Sequence, residues 1–344
     1  MTKDSIHGII MRGVGGLYTV RPYSGGEELL CRARGIFRQS HTVPTVGDDV
    51  AVSPVRESEK IDFLQTEDEI GGKHEKCRAR KGNDVKVDYV IDEIMPRRNL
   101  LIRPSLSNLD YLFSVIPAAS PAPDLLGVDK LTVIAENYGV EPVIVINKSD
   151  MDNDSAERIF NIYKTVGYNV FKISAATGCG VDKLRDYISD IANCRESAGS
   201  HVCGAFAGVS GAGKSTLMTS LFPQLELKTG GVSRKTQRGR HTTRHVELYP
   251  VECGNKEFFI ADTPGFSSLD FTRFDFFPYD ELALGFREFD DCIGKCRYTK
   301  CTHIKEEGCA VIEKMKENKI AKSRHDSYIK IFEEQRRVPE WKRR

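Results

Sequence analysis

The sequence is poor in several features that would place it in other classes. No apolar run approaches the roughly 20 residues that a bilayer-spanning helix needs. Residues 1 to 8 also lack the cationic and then apolar order of a secretory signal. A cytoplasmic protein with no membrane partner is expected. Nor do the ten cysteines make a disulfide frame: six are scattered and read as core residues, and the last four crowd between Cys292 and Cys309. That crowding suits a metal site in a reducing compartment. Acidic side chains are missing from residues 227 to 244, where Lys228, Arg234, Lys235, Arg238, Arg240 and Arg244 stand, so a formal net charge of +1 hides a local cationic block. A polyanionic partner is compatible with it. What remains is ordinary for soluble globular protein: 344 residues, 40% hydrophobic and 29% charged, enough for two or three domains and a sizeable core.

Two rhythms divide the chain. The first hundred residues alternate short apolar runs with glycine turns, at Ile9 to Met11, Leu17 to Val20, Leu30 to Phe37, Val50 to Val52 and Val85 to Ile94. This predicts a small antiparallel β-barrel over 1–100. In the third run a two-residue period buries Cys31 and Ala33 and projects Arg32 and Arg34 from the other face, which is either an RNA-facing or a solvated surface. Residues 57–86 run from mostly acidic to mostly basic and are expected to form a charged excursion from the barrel. From about residue 100 the pattern becomes strand, loop and helix. Val143 to Ile146 is followed by a helical stripe Ile159, Ile162, Tyr163 and Val166, then Val170 to Ile173, a helix with Val181, Leu184, Ile188 and Ile191, and Val202 to Ala207. With Val246 to Val251 and Phe258 to Ala261, these predict a doubly wound α/β domain over 101–275, with ligands at the carboxyl ends of its strands. A helix is expected over Asp280 to Phe289, within a third domain at 276–344 that holds the cysteine cluster and a basic tail.

Three short strings carry the chemistry. Gly208, Val209, Ser210, Gly211, Ala212, Gly213, Lys214 and Ser215 meet the phosphate-loop consensus in full, with Thr216 continuing into the helix. Small residues let backbone amides close on phosphate oxygens, Lys214 is expected to reach the β and γ phosphates, and Ser215 to bind Mg²⁺. Asp262, Thr263, Pro264 and Gly265 follow a strand, where an Asp holding Mg²⁺ through water must emerge and where Gly265 lets an amide approach the γ phosphate. Asn147, Lys148, Ser149 and Asp150 read as a guanine motif: Asp150 accepts from guanine N1 and N2, Asn147 pins the motif and the base, and Lys148 packs over the ring. Ser174 and Ala175, at the end of the next strand, are expected to offer an amide to guanine O6. Adenine has no matching donor pair, so GTP is favoured over ATP. Between the phosphate helix and Asp262, the stretch Gly239, Arg240, His241, Thr242 and Thr243 is placed for a mobile Mg²⁺-sensing loop, with Thr243 the expected ligand. The base motif precedes the phosphate loop, the reverse of a Ras-like GTPase. The chain therefore reads as a circular permutation cut between phosphate sensing and base sensing.

In the order of these motifs, ending in a cysteine cluster, the chain closely resembles the RsgA (YjeQ/YloQ) family of small ribosomal subunit biogenesis GTPases. The resemblance implies a multidomain α/β architecture: an N-terminal OB-fold barrel, a circularly permuted Ras-like P-loop GTPase domain, and a mainly helical zinc-binding C-terminal domain. It implies GTP and GDP as ligands with Mg²⁺ and one structural Zn²⁺. It also implies binding to the small ribosomal subunit and its 16S rRNA, contact with other assembly factors, and subunit-stimulated GTP hydrolysis in late maturation by a monomer. Residues 57–86 depart from the compact barrel of that pattern. The family's zinc ligands fall on Cys296, Cys301, His303 and Cys309, with four, one and five residues between them, and Cys292 stands near enough to replace Cys296. Three thiolates and an imidazole make a closed structural site. The residue after Gly265 is Phe266, where Ras-like enzymes carry a water-positioning Gln, so slow unaided hydrolysis is expected. His241 is the candidate to orient the water once its loop is ordered, its other reading being an RNA phosphate contact. Permutation also joins the γ-phosphate-sensing stretch to the C-terminal domain, predicting different presentations of that domain in the GTP and GDP states. Two other readings remain at this stage: a nucleotide-gated RNA-binding scaffold, and a P-loop GTPase of translation or tRNA modification.

Overall fold

The computed structural model describes residues 5–39, 42–55, 87–102, 105–194, 201–225, 246–254, 256–262 and 279–337. The chain divides into two compact units, Met1–Arg98 and Asn99–Arg344.

In the first unit, β1 (Ile6–Val14), β2 (Leu17–Pro22), β3 (Leu29–Ala33), a helical turn α1 (Ile36–Gln39), β4 (Asp49–Pro54) and β5 (Tyr89–Ile94) follow in order. Antiparallel pairs β1–β2, β2–β3, β4–β5 and β1–β4, with the parallel pair β3–β5, close the strands into a five-stranded barrel. A register shift between Ile10 and Arg12 lets three successive residues, Ile9, Ile10 and Met11, enter the core, which strict alternation forbids. The run expected as strand from Leu30 to Phe37 stops at Ala33 and turns into α1 at Ile36. Cys31 is buried as expected, but Arg34 does not project freely. Its Nε donates to Asp92 Oδ1 at 2.5 Å, an acceptor on β5 that local alternation could not reveal. The charged excursion at 57–86 lies outside the described residues.

The second unit opens with a hairpin, β6 (Leu100–Ile102) and β7 (Ser105–Ser107), and continues as β8 (Tyr111–Pro117), α2 (Leu125–Asn137), β9 (Glu141–Asn147), α3 (Asn153–Val166), β10 (Asn169–Lys172), α4 (Val181–Asn193), β11 (Val202–Ala207), α5 (Lys214–Leu221), β12 (Glu247–Cys253) and β13 (Lys256–Asp262). Its strands pair in the order β10-β9-β8-β11-β13-β12, all parallel except β12, which runs antiparallel to β13 at the edge. Along β9, Val143 and Val145 join the core beneath α4 and α5, whereas Ile144 and Ile146 join the core beneath α2 and α3. Burial on both faces explains why these strands read as unbroken apolar runs. Local chemistry sets the helix ends: the Asp152 side chain accepts from Ser155 N at 2.8 Å to start α3, and Gly167 ends it with φ of 96°.

The C-terminal segment folds as two 3₁₀ turns, Leu282–Gly285 and Arg287–Cys292, then α6 (Ala310–Lys316) and α7 (Lys322–Arg336). The single helix expected over Asp280 to Phe289 is thus broken. Phe286 takes an extended conformation, φ −108° and ψ 93°, which drives its ring into the core. That core includes Phe289, Tyr328 and Ile331 together with Val133 and Ile134 of α2, so the segment shares its interior with the α/β sheet layer. Among the described residues no helix is long and apolar enough to cross a membrane.

Candidate functional site

Parallel strands bring the loops after β8, β9, β10, β11 and β13 to one edge of the sheet, and the predicted nucleotide residues are distributed over them. The phosphate loop leaves β11 at Gly208, where φ is 145° and a Cβ would stand 2.2 Å from Val115 O. At its far end Gly213 has φ of 89°, and a Cβ there would lie 2.4 Å from Asn147 Nδ2. Only glycine fits either position. Ala212 N turns back to Val209 O at 3.2 Å, while the amides of Ser210, Gly211 and Gly213 have no partner among the described residues. The Lys214 ammonium donates to Gly208 O at 2.6 Å and Val209 O at 3.0 Å, and burial lowers its pKa. Ser210, Ser215 and Thr216 are exposed at the start of α5.

The distant base motif is tied to this loop by one side chain. Asn147 Nδ2 donates to Ala212 O at 2.9 Å, and its Oδ1 accepts from Lys148 N at 2.8 Å and Ala175 N at 3.0 Å. Asn147 is buried, so these bonds draw the loops after β9, β10 and β11 together in a setting where an unpaired amide is costly. The motif-pinning half of the expectation for Asn147 is seen: its oxygen has both lone pairs engaged and one N–H is used, which leaves the second N–H of its carboxamide to donate. Lys148, with φ of 61°, donates from Nζ to Ser120 O and, at 2.8 Å, to Gly211 O, adding the loop after β8. Asp150 is exposed, and no bond holds its carboxylate among the described residues. The amides expected for guanine O6 are both engaged: Ser174 N donates to Cys179 O at 2.9 Å and Ala175 N to Asn147. The first unengaged amide in that loop is that of Ala176. Asp262 ends β13 at the same edge. His241, Thr242, Thr243, Gly265 and Phe266 lie outside the described residues.

A second cluster gathers Cys296, Cys301, His303 and Cys309, whose ligand atoms all lie within 4.8 Å of one another. His303 Nδ1 is 3.5 Å from the sulfurs of Cys296 and Cys309, which are 4.0 Å apart. A tetrahedron with metal–sulfur bonds of ~2.3 Å has edges of ~3.8 Å, so the donors have the spacing of a closed site. The competing ligand Cys292 is instead buried among Val133, Phe289 and Val311. Burial raises the Cys301 and Cys309 thiol pKa values, and a bound dication would be what holds them as thiolates. Around the cluster, Glu306 Oε1 accepts from Thr302 N at 2.9 Å and from its hydroxyl, and Oε2 accepts from Ile304 N at 3.0 Å and Lys305 N at 3.1 Å. These bonds pull its pKa down to about 2, against burial. From α7, His325 Nε2 lies 2.7 Å from His303 O, and the Tyr328 hydroxyl donates to Thr302 O at 2.8 Å.

Sequence reasoning missed the groups that dock this segment on the sheet layer. Arg324 of α7 is fully buried, donating to Asp129 Oδ1 at 2.7 Å, Thr132 Oγ1 at 3.0 Å and both oxygens of Glu288 at 2.7 and 3.0 Å. Tyr163 of α3 donates to the same Asp129 oxygen at 2.7 Å. Arg287 pairs with Glu136 at 2.8 Å and Glu141 at 3.0 Å, its guanidinium 4.7 Å from the Tyr168 ring centre. For Arg324 a signal was available in its spacing from Tyr328, Ile331 and Phe332, which share the buried face of α7.

The sequence matches the family described as RsgA GTPase over residues 94–272 and the RsgA N-terminal domain over 7–61. It is 34% identical to a small ribosomal subunit biogenesis GTPase RsgA of Ruminiclostridium cellulolyticum, over 97% of this chain and 95% of that one. It is 36% identical to the protein of the same name from Caldanaerobacter subterraneus, over 96% of each. In structure it resembles YjeQ from Thermotoga maritima, with a TM-score of 0.72 at 28% identity over 97% of this chain and 100% of that one. It also resembles YloQ, a circularly permuted GTPase, with a TM-score of 0.67 at 27% identity over 97% and 96%.

Proposed function

This chain belongs to the RsgA GTPase family, a family of P-loop enzymes that hydrolyse GTP, and we propose that it binds the small (30S) ribosomal subunit through its 16S rRNA and acts in late maturation, its GTP hydrolysis stimulated by that subunit. The observation that carries the reading is the Asn147 bracket, which joins a phosphate loop and a base motif wired in reversed order while leaving the Asp150 carboxylate exposed.

In this reading Asp150 selects guanine by accepting from N1 and N2. Asn147 and Lys148 hold the loops, and an amide of the 174–176 turn faces O6. Residues 208–213 wrap the phosphates with their amides while Lys214 turns from its loop carbonyls to the β and γ oxygens. Ser215, Thr243 and Asp262 are the groups that would hold Mg²⁺, Thr216, Thr242 and Gly265 belong to the same nucleotide-binding stretches of sequence, and a bound dication would supply charge neutralisation at the phosphates. Phe266 cannot orient water, and His241 takes that role when the subunit orders its loop. The Cys296, Cys301, His303 and Cys309 cluster holds one structural Zn²⁺ in the 276–344 segment, 1–100 is the RNA-binding barrel, 101–275 hydrolyses GTP, and the protein works as a cytoplasmic monomer alongside other assembly factors.

The deciding experiment compares GTP turnover with and without purified small subunits, with large subunits and ATP as controls. Stimulation by small subunits alone, specific for GTP, is expected. Unchanged turnover, or equal use of ATP, refutes the proposal. His241→Ala should lose the stimulated rate while still sedimenting with the subunit; full stimulation in that variant would remove His241 from the mechanism.

A further inference from the structure

The turn between the first two metal ligands presents chemistry that the nucleotide site does not use. Arg297, Tyr298, Thr299 and Lys300 are all exposed, and Tyr298, 49% accessible, is the only aromatic among the exposed large apolar side chains of the described residues. Among the described residues of this segment Phe286, Phe289, Tyr328 and Phe332 are buried and Tyr279 is half-buried. The backbone beneath Tyr298 is pinned. Arg297 N donates to Gly308 O at 3.0 Å, Cys301 N donates to Tyr298 O at 3.2 Å, and Glu306 ties the neighbouring loop through four donors. A ring held out on a fixed turn loses little freedom when something stacks on it.

Its surroundings select the partner. Lys295, Arg297, Lys300 and Lys305 are exposed, against Glu306, whose carboxylate is turned into the loop, and Glu307, which lies 3.8 Å from Arg297. No acidic side chain pairs with Lys295, Lys300 or Lys305 among the described residues. The Arg297 guanidinium stands 5.7 Å from the Tyr298 ring centre. An exposed ring on a turn whose neighbours in sequence are exposed cations suits a nucleobase with its flanking phosphates. Duplex RNA hides its base faces and offers only the phosphates.

We propose that residues 295–305 form a binding surface for unpaired RNA, one base stacking on Tyr298 and the adjoining phosphates meeting Lys295, Lys300 and Lys305. It deepens the small-subunit reading and rests on it for the source of the RNA. The test uses the full, zinc-loaded chain and a labelled, unstructured RNA 12-mer, alone and annealed to its complement. The single strand should bind more tightly than the duplex. Tyr298→Ala should weaken it roughly tenfold, the size of one lost base stack, and Tyr298→Phe should retain most of the affinity. Lys300→Gln with Lys305→Gln should lower the slope of log affinity against log salt by roughly 0.7 per cation. Zinc content and subunit-free GTP turnover, unchanged in each variant, show that the fold is intact. Equal binding by wild type and Tyr298→Ala, equal affinity for duplex, or equally good competition by polyglutamate overturns the proposal. Small subunits separate it from the function it rests on. If they bind wild type and Tyr298→Ala alike, this surface fails and the functional reading stands; if they do not bind wild type at all, the functional reading fails with it.

Discussion

The carboxyl edge of the sheet and the Cys/His cluster are built by opposite means. At the sheet edge the polypeptide completes its own geometry: one buried carboxamide, Asn147, spends its acceptor on two amides and donates to a third loop, while Asp150 and the free amides of the phosphate loop stay exposed. At the cluster, three sulfurs and an imidazole are crowded together in a setting that raises thiol pKa values, a packing that makes chemical sense around a cation. The first site is held together by hydrogen bonds within the polypeptide itself. The second gathers four metal-ligating side chains whose spacing fits a single cation.

That contrast can be broken most severely by removing the metal. Chelation, or Cys301→Ser, should unfold the 292–309 region, because structural zinc sites supply about 10–16 kcal/mol of apparent binding energy in small modules. Hydrogen exchange should report lost protection there, and guanine nucleotide binding at the sheet edge should survive. Retained protection in the chelated protein would contradict the contrast. The next largest effect is expected from Arg324→Ala, which leaves Asp129 and Glu288 buried without their cation and should cost ~3–5 kcal/mol in denaturant unfolding. Adding Asp129→Asn and Glu288→Gln should recover part of it; a single variant as stable as wild type would show that the buried charges do not dock the segment.

Asn147→Ala removes three hydrogen bonds, each worth about 1 kcal/mol net. It should destabilise by about 3 kcal/mol and weaken GTP and GDP binding together, leaving zinc content at one per chain. Loss of zinc in this variant would blur the two regions into one. The smallest effect, about 2 kcal/mol, is expected for Glu306→Gln, which loses charge-assisted bonds to the loop. The Glu306 pKa is depressed to about 2 from 4.5, so its contribution is complete above the ordinary glutamate pKa and is lost as pH falls from 4.5 toward 2. A wild-type minus Glu306→Gln stability difference that stays flat across that window would rule this out.

The shared core also bears on how nucleotide state could be transmitted. The C-terminal segment packs through Arg324, Arg287 and Phe286 against α2, β9 and α3, on the base-motif half of the sheet. The expectation from chain connectivity alone placed its attachment at the γ-phosphate side. Packing attaches the segment at a second place that connectivity did not suggest.

Much of the candidate site could be read in the amino acids because its parts are contiguous and locally determined. A phosphate loop needs glycine where φ is positive or the backbone nearly touches a neighbour, as at Gly208 and Gly213, and it needs Lys214 one residue later. Ligand spacing marked the metal cluster in the same way. The breaks came where distant partners decided the outcome. Asp92 holds Arg34, Phe286 interrupts a helix by entering a core, and the engaged amides of Ser174 and Ala175 depend on Cys179 and Asn147.

By itself, then, the sequence determined which strands are doubly buried, where the phosphate loop lies and the reversed order of the motifs, and it marked a metal cluster near residues 292–309, whereas the structure brought together Cys296, Cys301, His303 and Cys309 rather than Cys292. These follow from side-chain periodicity and backbone stereochemistry, which act over a few residues. Tertiary structure alone decided that Asn147 bridges to a loop 65 residues away and that Arg324 finds Asp129 across 195 residues. Such pairings depend on burial, where an unpartnered polar group is expensive, and burial exists only once the chain has folded.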